Sequence, residues 1–294
     1  MINVLRFLAI CVTSAALGTS SVASAQTYTT IDYPGATLTF LLGGPNPQGT
    51  SVGQYNDTSG VAHGFTFDSR GVFTSFDPPG STSTDPNFIN PEGVIVGAYN
   101  DAANVSHGFV LDEGQYTTID FPGAAGTTLT GLNPSGVMSG FTCSDPACGS
   151  TGAPSVNHSF VVSKAGIFTT FDPPDATGGS QTSAVTPSGE VVGAYTDGSG
   201  VRHGYVLYHG MFSTTNFPGA TFTFDGGVNP EGNIVGAYRN GSVQHSFLLS
   251  GGVFTSFDPP GAIASDATGI GPGGIIVGLY LDSAGALHGF IRKP

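Results

Sequence analysis

The chain has 294 residues, of which 46 are Gly and 20 Pro, only 9% are charged and none is Trp; its apolar residues come in short runs bounded by Gly, Pro, Asn and Asp, which argues for many strands and against helices. Its 21 Phe and 10 Tyr supply ample surface to bury and so argue against disorder. A formal net charge of −13 repels phosphate backbones, which makes nucleic acid and anionic membranes poor partners.

Residues 1–25 read as a secretory signal: Arg6 is the early charge, FLAICVTSAALG is an apolar stretch too short to span a bilayer, and Ala23-Ser24-Ala25 offers a small-residue cleavage pattern. The mature chain then starts near Gln26, loses one positive charge and no negative one, and belongs outside the cytoplasm, extracellular or periplasmic. No second apolar segment follows, so no membrane span is expected, and nothing in the pattern calls for an oligomer beyond a monomer.

From Tyr28 onward one unit recurs. Its clearest copy, NPEGVIVGAYNDAANVSHGFVLDEGQYTTIDFPG (90–123), gives a turn, an apolar run, a polar turn, a second apolar run, a third turn and an alternating run, hence three strands joined by hairpins. A Thr-rich strand precedes each copy. Four strands, termed a to d, in a period of this size make a propeller blade. The His-Gly/Ser-aromatic motif occurs six times, at His63, His107, His158, His203, His245 and His288. A d-end Asp or Asn occurs six times too, at Asp32, Asp77, Asp120, Asp172, Asn216 and Asp258. The chain opens on a d strand (28–35) and stops on a c strand (288–294), so the counts balance only if the N-terminal d strand completes the blade begun by the final a, b and c strands. The expected fold is therefore an all-β, six-bladed β-propeller over 26–294, with four antiparallel strands per blade and that closure. Each b strand carries a Gly (Gly53, Gly97, Gly140, Gly193, Gly236 and Gly278), expected to leave space for a neighbouring blade.

Cys143 and Cys148, the cysteines remaining after cleavage, are expected to form a local disulfide. They lie in blade 3, in a b-to-c connection (144–158) longer than in the other blades, which suggests a recognition loop or equally a drifted surface loop.

The run NPEGNIVGAYRNGSVQHSFLLSGGVFTSF (229–257) resembles bacterial extracellular repeats named for a His-Ala-Phe signature, with their Asn-x-x-Gly turn and Val-Val-Gly strand. His-Gly-Phe or His-Ser-Phe replaces the signature here, and Asp-x-Pro-Gly replaces a Leu- and Gly-rich segment, as in a divergent branch. The resemblance implies a secreted, propeller-like bacterial protein and no particular activity.

Alternating strand direction puts the b-to-c and d-to-a loops, the six His and the d-end acids on one face. A ring of six His and five Asp cannot close on one ion, because strands c and d lie roughly 10 and 14 Å outside strand a. The expected role of His63, His107, His158, His203, His245 and His288 with Asp32, Asp77, Asp120, Asp172 and Asp258 is structural, each His bridging its own Asp across the b-to-c turn. Residues that do not repeat are the ligand candidates: Asp85, Asn87, Gln181, Asp225 and Asp266, counted back from the xPxG turns to the upper end of strand a, at the channel mouth. Carboxylates and amides there suit a polyhydroxylated ligand or Ca²⁺, and suit a wet channel wall equally. Gly49-Thr50-Ser51-Val52-Gly53 matches GxSxG but leads into a strand, not a helix, and is a chance match. The expected function is a secreted, non-catalytic binding or scaffold module for an extracellular glycan or protein, without a cofactor unless Ca²⁺ binds. A hydrolase or lyase with its site at the channel mouth is the alternative, on analogy of fold alone.

Overall fold

A computed structural model describes residues 26–148 and 156–294; the expected signal and the middle of the blade 3 loop lie outside them. Among the described residues, 24 strands make six antiparallel sheets of four, the fourth and fifth joined by one parallel bridge between Arg202 and Phe222. Blade 1 shows the order: strand a (Leu38–Gly43), b (Ser51–Asn56), c (Ala62–Phe67) and d (Phe73–Phe76). The a strands of the later blades are Ser83–Ile89, Gly126–Leu132, Ser180–Val185, Phe222–Val228 and Ala262–Ile270, and each packs beside the next around a closed ring, the sixth beside the first. The chain is a six-bladed β-propeller. Blade 6 is completed by the N-terminal strand Thr27–Ile31, paired with Leu287–Lys293 in the register Tyr28 to Arg292 and Thr30 to Phe290. Pairing the two ends this way removes the unpaired edge an open ring would carry.

The aromatic residue of each His-Gly/Ser-aromatic motif anchors the core. Phe65, Phe109, Phe160, Tyr205, Phe247 and Phe290 are all fully buried, each stabilising by about 1.5–3 kcal/mol relative to exposure. The recurrence of the b-strand glycines has a different cause from the one expected. A Cβ at Gly53 would fall on the Phe40 carbonyl oxygen and the Phe65 ring, and Gly97, Gly140, Gly236 and Gly278 meet the matching atoms of their own blades. The space is taken inside the blade, by strand a and the core ring of strand c. A bulge interrupts every a–b ladder at this level, as between Leu41 and Gly43 or Asp225 and Gly227. The residues skipped by the register, Leu42, Asn87, Thr130, Ser183, Gly226 and Thr268, line the axial channel.

Successive blades join in two alternating ways. After Asp77, Asp172 and Asp258 comes a proline, which has no N–H, and the hydroxyls of Thr84, Ser180 and Ser265 in the next a strand donate to the carboxylates at 2.5, 2.6 and 2.6 Å. After Asp32, Asp120 and Asn216 comes Tyr33, Phe121 or Phe217, whose N–H donates to Thr39, Thr127 or Thr223 at 2.9, 3.0 and 3.1 Å. Those rings pack into the following blade, Tyr33 stacking on Tyr55 and Phe217 on Tyr238 at 3.6 Å.

Candidate functional site

The six His sit at the outer top of the blades. Nδ1 of His63, His107, His158, His245 and His288 meets Asp77, Asp120, Asp172, Asp258 and Asp32 at 2.7–2.9 Å, and His203 meets Asn216 at 2.8 Å. The close partner is thus the d-end residue named from the repeats, with Asn216 taking that place in blade 4. Turn acids approach the other ring nitrogen, at 3.1 Å for Asp197 with His203 and 3.5–3.6 Å for Asp57, Asp101 and Asp282. Each turn carboxylate is already held by amides of its own turn, Val61 and Ser59 in the case of Asp57. Partial burial works against a charged imidazole at His63, His107 and His288, but their paired carboxylates outweigh it and raise the pKa. Through the hydroxyl bonds at Asp77, Asp172 and Asp258 these pairs continue into the next blade.

The residue five before each xPxG turn is Asp85, Gln181 and Asp266 in blades 2, 4 and 6; Asp85 and Gln181 line the channel, and Asp266 turns to Gln244 of blade 5. The same offset gives Thr128 in blade 3 and Phe224 in blade 5, and the ladder equivalent in blade 1 is Phe40. Asp225, one residue further on, faces the other way. It is fully buried between blades, against Gly204 of blade 4, where a Cβ would lie 2.5 Å from its Oδ1. The expectation that Asp225 lines the channel mouth is therefore corrected: it sits one register position off, and alternation along a strand sends it into the blade 4–blade 5 packing. Burial pushes its pKa well above the carboxylate range, the nearby Thr215 hydroxyl opposing only in part, and neither oxygen finds a hydrogen-bond partner.

A cavity of about 490 Å³ opens at the mouth on the b-to-c and d-to-a face, lined by Asp85, Asn87, Gln54, Gln181, Tyr99 and Phe224 among others. Burial alone raises Asp85 to about 6. Asn87 lies one step deeper and donates to the Leu129 carbonyl of blade 3 at 3.0 Å. Ala147 and Cys148 also line this cavity. The Cys143–Cys148 disulfide, with its Cα atoms 5.1 Å apart, closes a turn whose Pro146 carbonyl accepts the Ser106 amide of blade 2 at 2.7 Å. The turn crosses over Gly126, where a Cβ would lie 2.6 Å from that carbonyl oxygen, so a blade 3 segment covers the blade 2 side of the mouth.

Asp266 lies outside the cavity lining, next to a wall formed by Arg202, Phe222, Phe224, Arg239 and Gln244. Burial lifts it to about 7, against the pull of Arg202 and Arg239. Asp85, Asp225 and Asp266 thus occupy three separate environments, and among the described residues no three His, Cys, Asp or Glu side chains group closely enough to hold a metal ion. The opposite end of the channel holds a smaller cavity of about 160 Å³, ringed by the turn prolines with Leu42, Ile89, Val185 and Ile270. It is apolar. The residues that sequence counting missed are Phe224, which a constant offset from the turn would have found, and Arg202 and Arg239, which their rarity in so acidic a chain could have flagged.

No family model and no curated protein sequence matches the chain. Solved structures do. A protein described as TolB from Agrobacterium tumefaciens is 12% identical over 86% of this chain and 89% of its own, with a TM-score of 0.59. A fungal lectin from Aleuria aurantia, described as a six-bladed β-propeller with a novel fucose recognition mode, is 12% identical over 87% of this chain and 91% of its own, at 0.52. A catalytically inactive virginiamycin B lyase from Staphylococcus aureus, solved with quinupristin, is 9% identical over 92% of this chain and all of its own, at 0.53. At these identities the likeness is one of fold, and it is to six-bladed β-propellers that the chain is similar.

Proposed function

We propose that the protein is an exported, non-catalytic binding module whose channel-mouth cavity takes a saccharide. The observation that carries this reading is the cavity itself: about 490 Å³, with one carboxyl, the amides of Gln54, Asn87 and Gln181 and the hydroxyls of Ser83 and Thr128, beside the rings of Tyr99, Phe141 and Phe224. Amides and hydroxyls match ring hydroxyls, and aromatic faces match the apolar side of a sugar. A disulfide-closed turn over the mouth supports both preorganisation and residence outside the cytoplasm. The fold likeness to a fucose-recognising lectin supports the same class.

A hydrolase or lyase reading draws on the raised pKa of Asp85. Burial is its only cause there, with no second charged group contributing, whereas glycosidic cleavage ordinarily takes two carboxyl groups. A glycan array on the full chain, followed by calorimetry, tests the reading. Binding is expected at micromolar to millimolar affinity, weakened tenfold or more in Asn87→Ala. Retained affinity in that variant, or turnover of the bound glycan lost in Asp85→Asn, would remove the non-catalytic cavity reading.

A further inference from the structure

Outside residues 1–25 the chain has six Lys and Arg side chains, and two of them converge on the inner strand of blade 5. Arg202 reaches from strand c of blade 4 to bond the Gln181 side chain and lies 5.2 Å from the Phe224 ring centroid. Arg239 lies 4.5 Å from the centroid of Phe222, a ring that Arg202 also approaches at 6.0 Å. Its Nε donates to Gln244, whose amide donates to Asp266 at 3.1 Å. Gln181 and Phe224 line the mouth cavity, so this wall is continuous with it. Two of its polar atoms are buried without a hydrogen-bond partner: Arg202 Nε and Asp266 Oδ1. Such groups carry a desolvation cost when left unmet, and a ligand that meets them recovers it.

We propose that this wall selects a carboxylate-bearing sugar, the acid group docking against Arg202 and Arg239 while ring hydroxyls reach Asp266 and Gln181. The inference rests on the saccharide reading of the mouth and adds the ligand's charge. Two of the scarce cations, side by side at one wall of an otherwise acidic protein, favour the approach of an anion there, and guanidinium groups match a carboxylate through paired N–H donors. Asp266 does not oppose this, because with a pKa of about 7 it is substantially protonated near neutrality and offers a donor.

The test is calorimetry on the full chain with a glucuronate-containing trisaccharide and its carboxyl-reduced counterpart. The acidic form is expected to bind at least tenfold tighter in low salt, the preference shrinking as salt rises, and the exposed Arg239→Gln variant is expected to cut it to threefold or less. Arg202→Lys, which keeps the charge and loses the paired donors, should weaken the acidic form several-fold with thermal unfolding monitored alongside. Equal affinity for the two forms, or a preference that survives Arg239→Gln, overturns the proposal and leaves the saccharide reading standing; binding of neither form sinks both.

Discussion

Asp225 occupies the position at which blades 1 and 3 place Leu41 and Leu129, each lying over a strand c glycine of the preceding blade, Gly289 and Gly108. Its carboxyl has the same packing and, with only the Thr215 hydroxyl nearby, lacks the hydrogen bonds a buried polar group requires. Asp225→Leu should therefore stabilise the fold by about 1–3 kcal/mol, a melting temperature several degrees higher in calorimetry; a lower one would mean that the carboxyl has a partner the packing hides. At this scale the sequence was partly legible. Asp85, Gln181 and Asp266 share one offset from their turns and one face of strand a, while Asp225 differs by one residue, and one residue is the whole difference between two faces of a strand. Asn87 falls at a bulge, a feature no alternation pattern announces.

The element that shapes the mouth is the disulfide turn. The spacing of Cys143 and Cys148 and the long blade 3 connection were visible in the sequence, but the direction of the turn was not, because it depends on an amide of another blade, Ser106, and on the absence of a side chain at Gly126. So short a closed loop contributes about 2 kcal/mol by chain entropy. Replacing both cysteines by serine should lower the melting temperature by only a few degrees yet weaken ligand binding tenfold or more, since the roof over the cavity loosens. Unchanged affinity at reduced stability would reduce the turn to a staple. The His–Asp braces were more legible: the His and d-end acids paired from the repeats do lie close, and what alternation did not announce is the turn acid, bonded to its own backbone, approaching the second ring nitrogen.

For the molecule as a whole, the shifted groups act together on stability. His63, His107, His288, Asp85, Asp225 and Asp266 all hold a proton in the folded state that the unfolded chain releases at lower pH. Their contribution is complete below the unfolded values, 3.8 for Asp and 6.5 for His, and is lost as pH rises through the folded ones. Asp57, Asp101, Asp197 and Asp282 act oppositely: their own turn amides and the facing His lower them, and their contribution is lost only as pH falls below the ordinary range. Thermal unfolding should therefore be most resistant at about pH 4–5 and weaken toward pH 8, and Asp85→Asn with Asp266→Asn should flatten the decline. A melting temperature that climbs from pH 5 to pH 8 would contradict the assigned protonation states. Blade number and closure were the most legible features, because a repeat count and the identity of the two terminal strands admit few solutions.

The two kinds of junction between blades carry a constraint on how such a ring changes size. A proline junction needs a hydroxyl donor on the incoming strand, and an aromatic junction needs a hydroxyl acceptor for its amide, with a ring-sized recess beside it. Gaining or losing a single unit would set two like junctions side by side and break the alternation. Growth or shrinkage that preserves it must proceed in twos, so the ring behaves as a trimer of paired modules written into one polypeptide.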